Sequence, residues 1–229
     1  MLIKKPSDLL ALARRELSDT VEPYLWSDND LYYYMDEAQR EFARKTRCIT
    51  DATHFTEIAV NEDDPWLDFD PAIIDIKRAT LSTADQVLEI QTIEEFQNSY
   101  YDDDYGIIRK KGYWEEQTGT PTHIILNMET DMMRLYPIPS ADDELDMVVW
   151  REPIYDIESS SSNFEIPQKY NYKLIYKIKE LAYGKQDYET FDGDRREVNL
   201  ALWENAVLEA RSDVKKRTRR PRGVRYGGI

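Results

Sequence analysis

Residues 26–47, WSDNDLYYYMDEAQREFARKTR, form the most regular helical pattern in the chain. Four apolar residues recur in it at the helical period and predict one buried stripe: Leu31, Met35, Ala38 and Phe42. Ser27 is the predicted N-cap, because its hydroxyl can accept hydrogen bonds from the free amides of the first turn. A helix of this kind is stable in water mainly when its stripe packs against other elements, so the rest of the chain must supply a partner.

Three further segments show the helical period and provide that partner. Residues 6–17 form a first helix, and residues 167–189 form another. Asp194 is the predicted cap of a last helix. The core predicted for the resulting bundle consists of Leu31, Met35, Ala38, Phe42, Leu174, Ile178, Leu181, Trp203 and Val207.

The middle of the chain changes to β-branched and aromatic residues bounded by turn residues, which is typical of strands. The predicted strands cover residues 50–60, 66–69, 73–81, 86–90, 123–127, 132–136 and 145–151. Between them, residues 92–100 predict a short helix, since Thr92 and Glu95 have the spacing of a capping box.

This order of elements predicts an α+β fold. The N- and C-terminal helices form a bundle, a β-rich domain is inserted between them, and an extended arm follows at the C-terminus. The predicted boundaries are 1–49 for the N-terminal helix pair, 50–164 for the β-rich domain, 165–217 for the C-terminal helix pair and 218–229 for the arm.

Charge is distributed unevenly along the chain. The 229 residues have a net charge of −15, but residues 211–229 hold eight Lys or Arg against one acid and so carry +7. Residues 1–210 therefore carry −22. An acidic body repels nucleic acid, whereas a basic arm is attracted to acidic surfaces or phosphates. No apolar run is long enough to cross a bilayer and the start, MLIKKPSDLL, lacks a secretory h-region, so we expect no membrane association.

The residue patterns predict no enzyme, cofactor or metal site. Asp102–Asp104 lack the alternating spacing of a calcium loop and favour a solvated acidic loop. Asp70 with Asp75 and Lys77 resembles a metal-dependent nuclease motif only faintly, because no third acid is placed to complete it. The two histidines, His54 and His123, lie in predicted strands, and with the single Cys48 they form no zinc pattern.

Four sequence features occur in a particular order. They are the helical stretch at Trp26–Arg44, GTPTH at Gly119–His123, LYPIP at Leu135–Pro139 followed by the strand LDMVVWREP, and IPQKY at Ile166–Tyr170. In these features the chain resembles the head-to-tail adaptor, or connector, proteins of tailed bacteriophages, especially those of short-tailed phages.

The resemblance implies a structural virion protein of the head–tail junction, made in the cytoplasm of the host bacterium. Its copies would form a ring, expected to hold twelve, beneath the portal protein. The ring would extend the DNA channel, let genomic DNA pass without sequence-specific binding, and provide the attachment platform for tail or nozzle proteins. The helices would form the ring body, and the β-rich domain would face the tail or a neighbouring copy. The arm would dock on the portal through Arg217, Arg219, Arg220, Pro221, Arg222, Arg225 and Tyr226.

The same basic arm supports an alternative function. Clustered arginines bind phosphates, so the chain could be a nucleic-acid-binding protein that uses residues 218–229. Long-range repulsion between the acidic body and duplex DNA favours the protein partner.

Overall fold

The computed structural model describes residues 3–101, 113–159, 161 and 163–218, and divides the chain into two compact units. Residues 1–49 and 152–229 form the first, which is called the helical unit. Thr50–Arg151 form the second, which is called the β unit. The predicted α+β fold, with terminal helices flanking a β-rich middle, is confirmed.

The helices of the described residues are α1 (Pro6–Glu16), α2 (Asp28–Thr46), α3 (Ile93–Tyr101), α4 (Leu174–Gly184) and α5 (Gly193–Thr218), and a 3₁₀ helix at Gln168–Lys173 leads into α4. None of them is long and apolar enough to cross a membrane.

The start of α2 follows the sequence pattern closely. The Ser27 hydroxyl accepts from the backbone N–H of Asp30 at 3.1 Å, and the Asp30 carboxylate accepts from the N–H of Ser27 at 3.3 Å. This reciprocal pair satisfies two amides that have no partner within the helix. The helix ends at Thr46, and the left-handed backbone of the next residue, Arg47 (φ 53°), stops the helical hydrogen bonding. The prediction of this helix and its cap is confirmed.

Helices α2 and α4 form the centre of the helical unit, and α1 and α5 each pack on both of them. Helix α1 runs parallel to α4, whereas α2 and α5 run antiparallel to it. The pairs that show these directions are Ile3–Asn171 and Glu16–Lys179 for α1, Asp30–Lys185 and Glu41–Lys177 for α2, and Arg196–Glu180 and Asp213–Lys169 for α5.

The two connections between these helices consequently lie at the same end of the bundle. Residues 17–27 join α1 to α2 and residues 185–192 join α4 to α5; this end is called the loop end. Helix α5 finishes at the opposite end, where its last turn carries Lys215, Lys216 and Arg217. That end is called the basic end.

Residues 152–164 belong to the helical unit, whereas the sequence placed them in the β-rich domain. Contacts with α2 explain the difference. Arg44 pairs with Glu152 at 2.6 Å, and Arg40 donates to the carbonyl oxygen of Pro153 at 3.0 Å. The backbone N–H of Ile157 donates to Asp36 at 3.0 Å. The β unit therefore ends at Arg151 and not at residue 164.

The N-cap of α5 differs from the predicted one. The carboxylate of Asp192 accepts from the backbone N–H of Arg195 at 3.0 Å, whereas Asp194 lies exposed in the first helical turn. The sequence DGD offers two possible caps, and the helix begins one position after Asp192, at Gly193. Asp194 therefore interacts with the positive helix end only through its charge.

We expect Asp192→Ala to lower the free energy of unfolding by about 1 kcal/mol, because the Arg195 amide loses its acceptor. Asp194→Ala is the matched control and is expected to change it by less than about 0.5 kcal/mol. Urea unfolding followed by circular dichroism measures both. Equal losses for the two variants would contradict the assignment of the cap.

The β unit contains ten strands among the described residues: β1 (Thr50–Asp51), β2 (Ile58–Val60), β3 (Trp66–Asp68), β4 (Ile73–Leu81), β5 (Gln86–Thr92), β6 (Thr118–Gly119), β7 (His123–Glu129), β8 (Met132–Tyr136), β9 (Ile138–Pro139) and β10 (Asp143–Arg151). The main sheet has the order β1-β10-β4-β5-β7-β8-β3, with β2 also paired to β10; β6 and β9 pair separately. Pairing in the main sheet is antiparallel except between β5 and β7.

The core of the β unit lies on the side of the sheet where alternate residues are apolar. Met147 and Val149 of β10 are buried beside Ile76 and Ala79 of β4. A second cluster forms where α3 covers β7 and packs Phe96 against Trp114. The predicted capping box of α3 is confirmed, since the Thr92 hydroxyl and the Glu95 carboxylate accept from each other's backbone amides.

Candidate functional site

The predicted bundle core is largely buried. Eight of its residues are almost inaccessible to solvent: Leu31, Met35, Ala38, Phe42, Leu174, Ile178, Trp203 and Val207. Leu181 is the exception and is only half-buried. The buried line of α4 continues from Ile178 to Ala182, four residues on, so Leu181 lies at the edge of that side. These residues hold the helical unit together and leave its surface for other contacts.

A partly buried charge network joins α2, α4 and α5. Glu41 pairs with Lys177 at 2.8 Å and accepts from the indole N–H of Trp203 at 3.0 Å. Lys177 also pairs with Glu180, which in turn pairs with Arg196 of α5 at 3.0 Å. Burial would raise the pKa of Glu41, but the hydrogen bonds from Lys177, Lys45 and Trp203 lower it to about 2. Glu41 therefore stays ionised at neutral pH, and the ion pairs join the three helices in one arrangement.

A second set of ion pairs lies at the basic end. Lys169 pairs with Asp213 at 2.7 Å, and Lys173 pairs with Glu209, which lies one turn before Asp213 on α5. These pairs hold the last turns of α5 against the 3₁₀ helix, and the side chain of Arg217 is exposed there. The remaining predicted arm residues lie outside the described residues: Arg219, Arg220, Pro221, Arg222, Arg225 and Tyr226. The structure thus shows the helix end from which residues 219–229 continue.

At the loop end, the α1–α2 connection is organised around a buried arginine. Arg14 pairs with Asp19 at 2.6 Å and with Asp28 at 2.5 Å, and it donates to the carbonyl oxygen of Trp26 at 3.0 Å. Its guanidinium lies 3.7 Å from the centre of the Tyr24 ring. The Asp19 carboxylate also accepts from the backbone amides of residues 25 and 26. Sequence reasoning missed this arrangement, because Arg14 reads as an ordinary surface residue of an amphipathic helix.

The net charge of the chain resides in the β unit. Residues 50–151 contain 23 acidic and 7 basic residues, a net charge of −16, so the helical unit is close to neutral. Some of these carboxylates hold turns together: Asp143 accepts from the amide of Thr83 at 2.8 Å, and Asp146 accepts from that of Glu57 at 2.9 Å. The backbone amide of Glu57 and the Ser82 hydroxyl lower the pKa of Asp146. These carboxylates are therefore ionised at neutral pH.

The residues weighed for metal or catalytic chemistry are separated in the described part of the chain. His54 lies in the turn after β1 and not in a strand, and its Nδ1 is 2.8 Å from the Asp51 carboxylate. His123 begins β7, and Cys48 is half-buried after α2. Asp70 accepts from the amide of Ala72 in a turn. Within the described residues no three His, Cys, Asp or Glu side chains are grouped to hold a metal. Asp102–Asp104 lie outside these residues.

Comparison with known proteins matches this chain to one family. The family described as SU10 adaptor protein matches residues 5–226, which covers the helical unit, the β unit and most of the arm. No curated protein matches the chain. The chain belongs to the SU10 adaptor protein family, a family of phage head-to-tail adaptors and structural components of the virion.

Proposed function

We propose that copies of this adaptor form a ring, expected to be twelve-fold, beneath the phage portal and provide the platform on which the tail is attached. The single observation that carries the proposal is the match to an adaptor family over residues 5–226. A heterologous contact repeated around an axis closes into such a ring. The helical unit suits a ring body, since the Glu41 network and the buried core give it one rigid arrangement.

The charge of the β unit supports the proposed passage of DNA. A protein surface that binds duplex DNA neutralises phosphates with lysine and arginine. The β unit, with a net charge of −16, instead repels phosphates. A ring of such subunits lets genomic DNA move past without sequence-specific binding.

The contact with the portal is assigned to the basic end and the arm that follows it. Helix α5 ends with Lys215, Lys216 and Arg217, and residues 219–229 add four more arginines with Pro221 and Tyr226. Arginine and tyrosine are enriched at protein interfaces, and their side chains suit an acidic groove on a partner. The ion pairs of Lys169 and Lys173 connect the last turns of α5, after which the arm begins, to the 3₁₀ helix.

Deleting residues 218–229 is expected to leave the fold intact and abolish assembly on the portal. The purified protein, alone and mixed with the portal of its phage, is examined by negative-stain imaging and mass photometry. The matched control deletes only residues 227–229 and keeps the arginines and Tyr226; it is expected to assemble normally. Rings of normal occupancy on the portal after deletion of 218–229 would overturn the docking role.

The alternative function, binding of nucleic acid by the arm, rests on the exposure of Lys216 and Arg217 at the basic end. It requires binding of duplex DNA that weakens steeply with salt and disappears on deletion of residues 218–229. Filter binding at 50 and 200 mM salt measures this on the same proteins. Salt-sensitive DNA binding without any association with the portal would favour the alternative.

A further inference from the structure

The loop end displays large apolar side chains to solvent. Val21, Tyr24 and Leu25 are exposed in the first connection, with 77% of Val21 accessible. Tyr188, fully exposed, and Phe191 are exposed in the second connection. Several large apolar side chains exposed together at one end of a bundle are typical of an interaction surface. These five residues are called the loop-end patch.

Hydrogen bonds fix the backbone of both connections, so the exposed side chains of the patch are held in defined positions. In the first connection, the buried Asp19 accepts from the amides of residues 25 and 26 and pairs with Arg14. In the second, the amide of Phe191 donates to the carbonyl oxygen of Asp187 at 3.0 Å, and that of Asp192 donates to Tyr183 at 3.1 Å. The indole N–H of Trp26 donates to the carbonyl oxygen of Ala182 at 3.1 Å and attaches the first connection to the last turn of α4, from which the second connection starts. A preorganised surface binds with little loss of conformational entropy.

The chemistry around the patch defines what it can bind. Three exposed carboxylates, those of Glu22, Asp187 and Glu189, lie in residues 17–27 and 185–192, together with the single lysine of these segments, Lys185. Tyr188 and Phe191 line a surface pocket whose other walls are Gln186 and Asp187. Aromatic walls beside a carboxylate suit a side chain with an apolar stem and a cationic head, as in lysine or arginine. The patch is therefore complementary to a segment that presents basic residues among aliphatic or aromatic ones.

The position of the patch within the helical unit indicates which partner supplies this segment. Helix α5 begins at the loop end and reaches the basic end 26 residues later, a distance of about 39 Å. In the proposed function, the adaptor contacts the portal on one side and a tail protein on the other. If the basic end docks on the portal, the loop end lies one full helix length away from that contact.

We propose that the loop-end patch is the docking surface for a tail-side protein, and that it receives a basic, apolar segment of that protein. This assignment rests on the proposed function, since it takes the basic end as the contact with the portal. It requires the patch to stay exposed when copies assemble on the portal and to become covered only when the tail joins.

The test uses portal–adaptor complexes of the full chain and tails purified from the same phage. Tyr188→Ser combined with Phe191→Ser is expected to leave assembly on the portal unchanged and to reduce the fraction of complexes joined to tails at least about tenfold, since aromatic anchors dominate interfaces. Leu208→Ser is the matched control, because Leu208 is 61% exposed on α5 but lies outside the patch. This variant should assemble on the portal and join to tails normally. Circular dichroism establishes that each variant is folded.

Hydroxyl-radical footprinting of Tyr24 and Tyr188 on the unaltered protein gives an independent readout. Protection that appears only after tails are added supports the assignment. Protection already present on the portal, whether from a neighbouring copy, its arm or the portal, would overturn it, as would normal joining of the double variant. Failure of the unaltered protein to assemble on the portal would instead refute the proposed function and, with it, this assignment.

Discussion

Replacing Trp203 with alanine is expected to lower the free energy of unfolding of the helical unit by about 3–5 kcal/mol. The indole is completely buried where α5 meets α2, and its ring centre lies 5.6 Å from that of Phe42. Its N–H also donates to Glu41, so the variant loses both apolar contacts and a hydrogen bond to a charged group. Urea unfolding followed by circular dichroism measures the loss.

Trp203→Phe is the matched control for this prediction. Phenylalanine keeps most of the buried apolar surface and loses the hydrogen bond to Glu41, which remains paired with Lys177 and Lys45. We expect a loss of about 1–3 kcal/mol, well below that of the alanine variant. A loss below about 1 kcal/mol for Trp203→Ala would show that this contact does not hold the bundle together.

Replacing Asp51 with alanine is expected to destabilise the β unit by about 3–5 kcal/mol. Asp51 is buried and pairs with the buried Arg151 at 2.5 Å, and it accepts from the amides of Thr53 and His54. The variant removes this carboxylate while the arginine stays buried. Asp68→Ala is the matched control, since Asp68 is exposed in β3, and should change stability by less than about 0.5 kcal/mol.

The same pair gives a dependence on pH. Burial would raise the pKa of Asp51, but the backbone amide of Thr53, together with Arg151, holds it well below its ordinary value. A carboxyl with a lowered pKa stabilises the folded state above the pKa of the unfolded chain, about 3.9, and loses that contribution as the pH falls below it. The stability difference between the unaltered protein and Asp51→Ala should therefore shrink on acidification below pH 4. A difference that is constant from pH 7 to pH 2 would contradict this role.

Features that depend on neighbours in sequence could be predicted from the sequence. The caps at Ser27 and Thr92 use partners three residues away, and strands β4 and β8 have the predicted bounds, Ile73–Leu81 and Met132–Tyr136. Local periodicity and capping are sufficient for such elements. The overall α+β order follows from them.

Features that depend on distant partners could not be predicted. Glu41 pairs with Lys45 on α2, as the sequence indicates, yet it also contacts Lys177 and Trp203 of other helices. Arg40 and Arg44 likewise attach residues 152–157 to α2 and move the boundary of the β unit to Arg151. Nothing near these residues in the sequence indicates such pairs.

The two candidate surfaces, the basic arm and the loop-end patch, also differ in whether the sequence predicts them. The basic arm was evident from charge alone, because eight basic residues fall within residues 211–229. The loop-end patch is not evident in the sequence, since the predicted helix over residues 167–189 includes Tyr188 and extends beyond the end of α4. The exposure of Tyr188 and Phe191 depends on where α4 stops, at Gly184, and on the hydrogen bonds that shape residues 185–192.

The concentration of negative charge in the β unit has a consequence for when the ring can form. In the proposed ring, each added copy would bring a further −16 close to its neighbours, and at physiological salt the Debye length of about 8 Å leaves closely spaced charges unscreened. We therefore expect free subunits to resist closing a ring by themselves. Contacts with the portal would have to outweigh this mutual repulsion, so the proposed ring would form on the portal and not in solution.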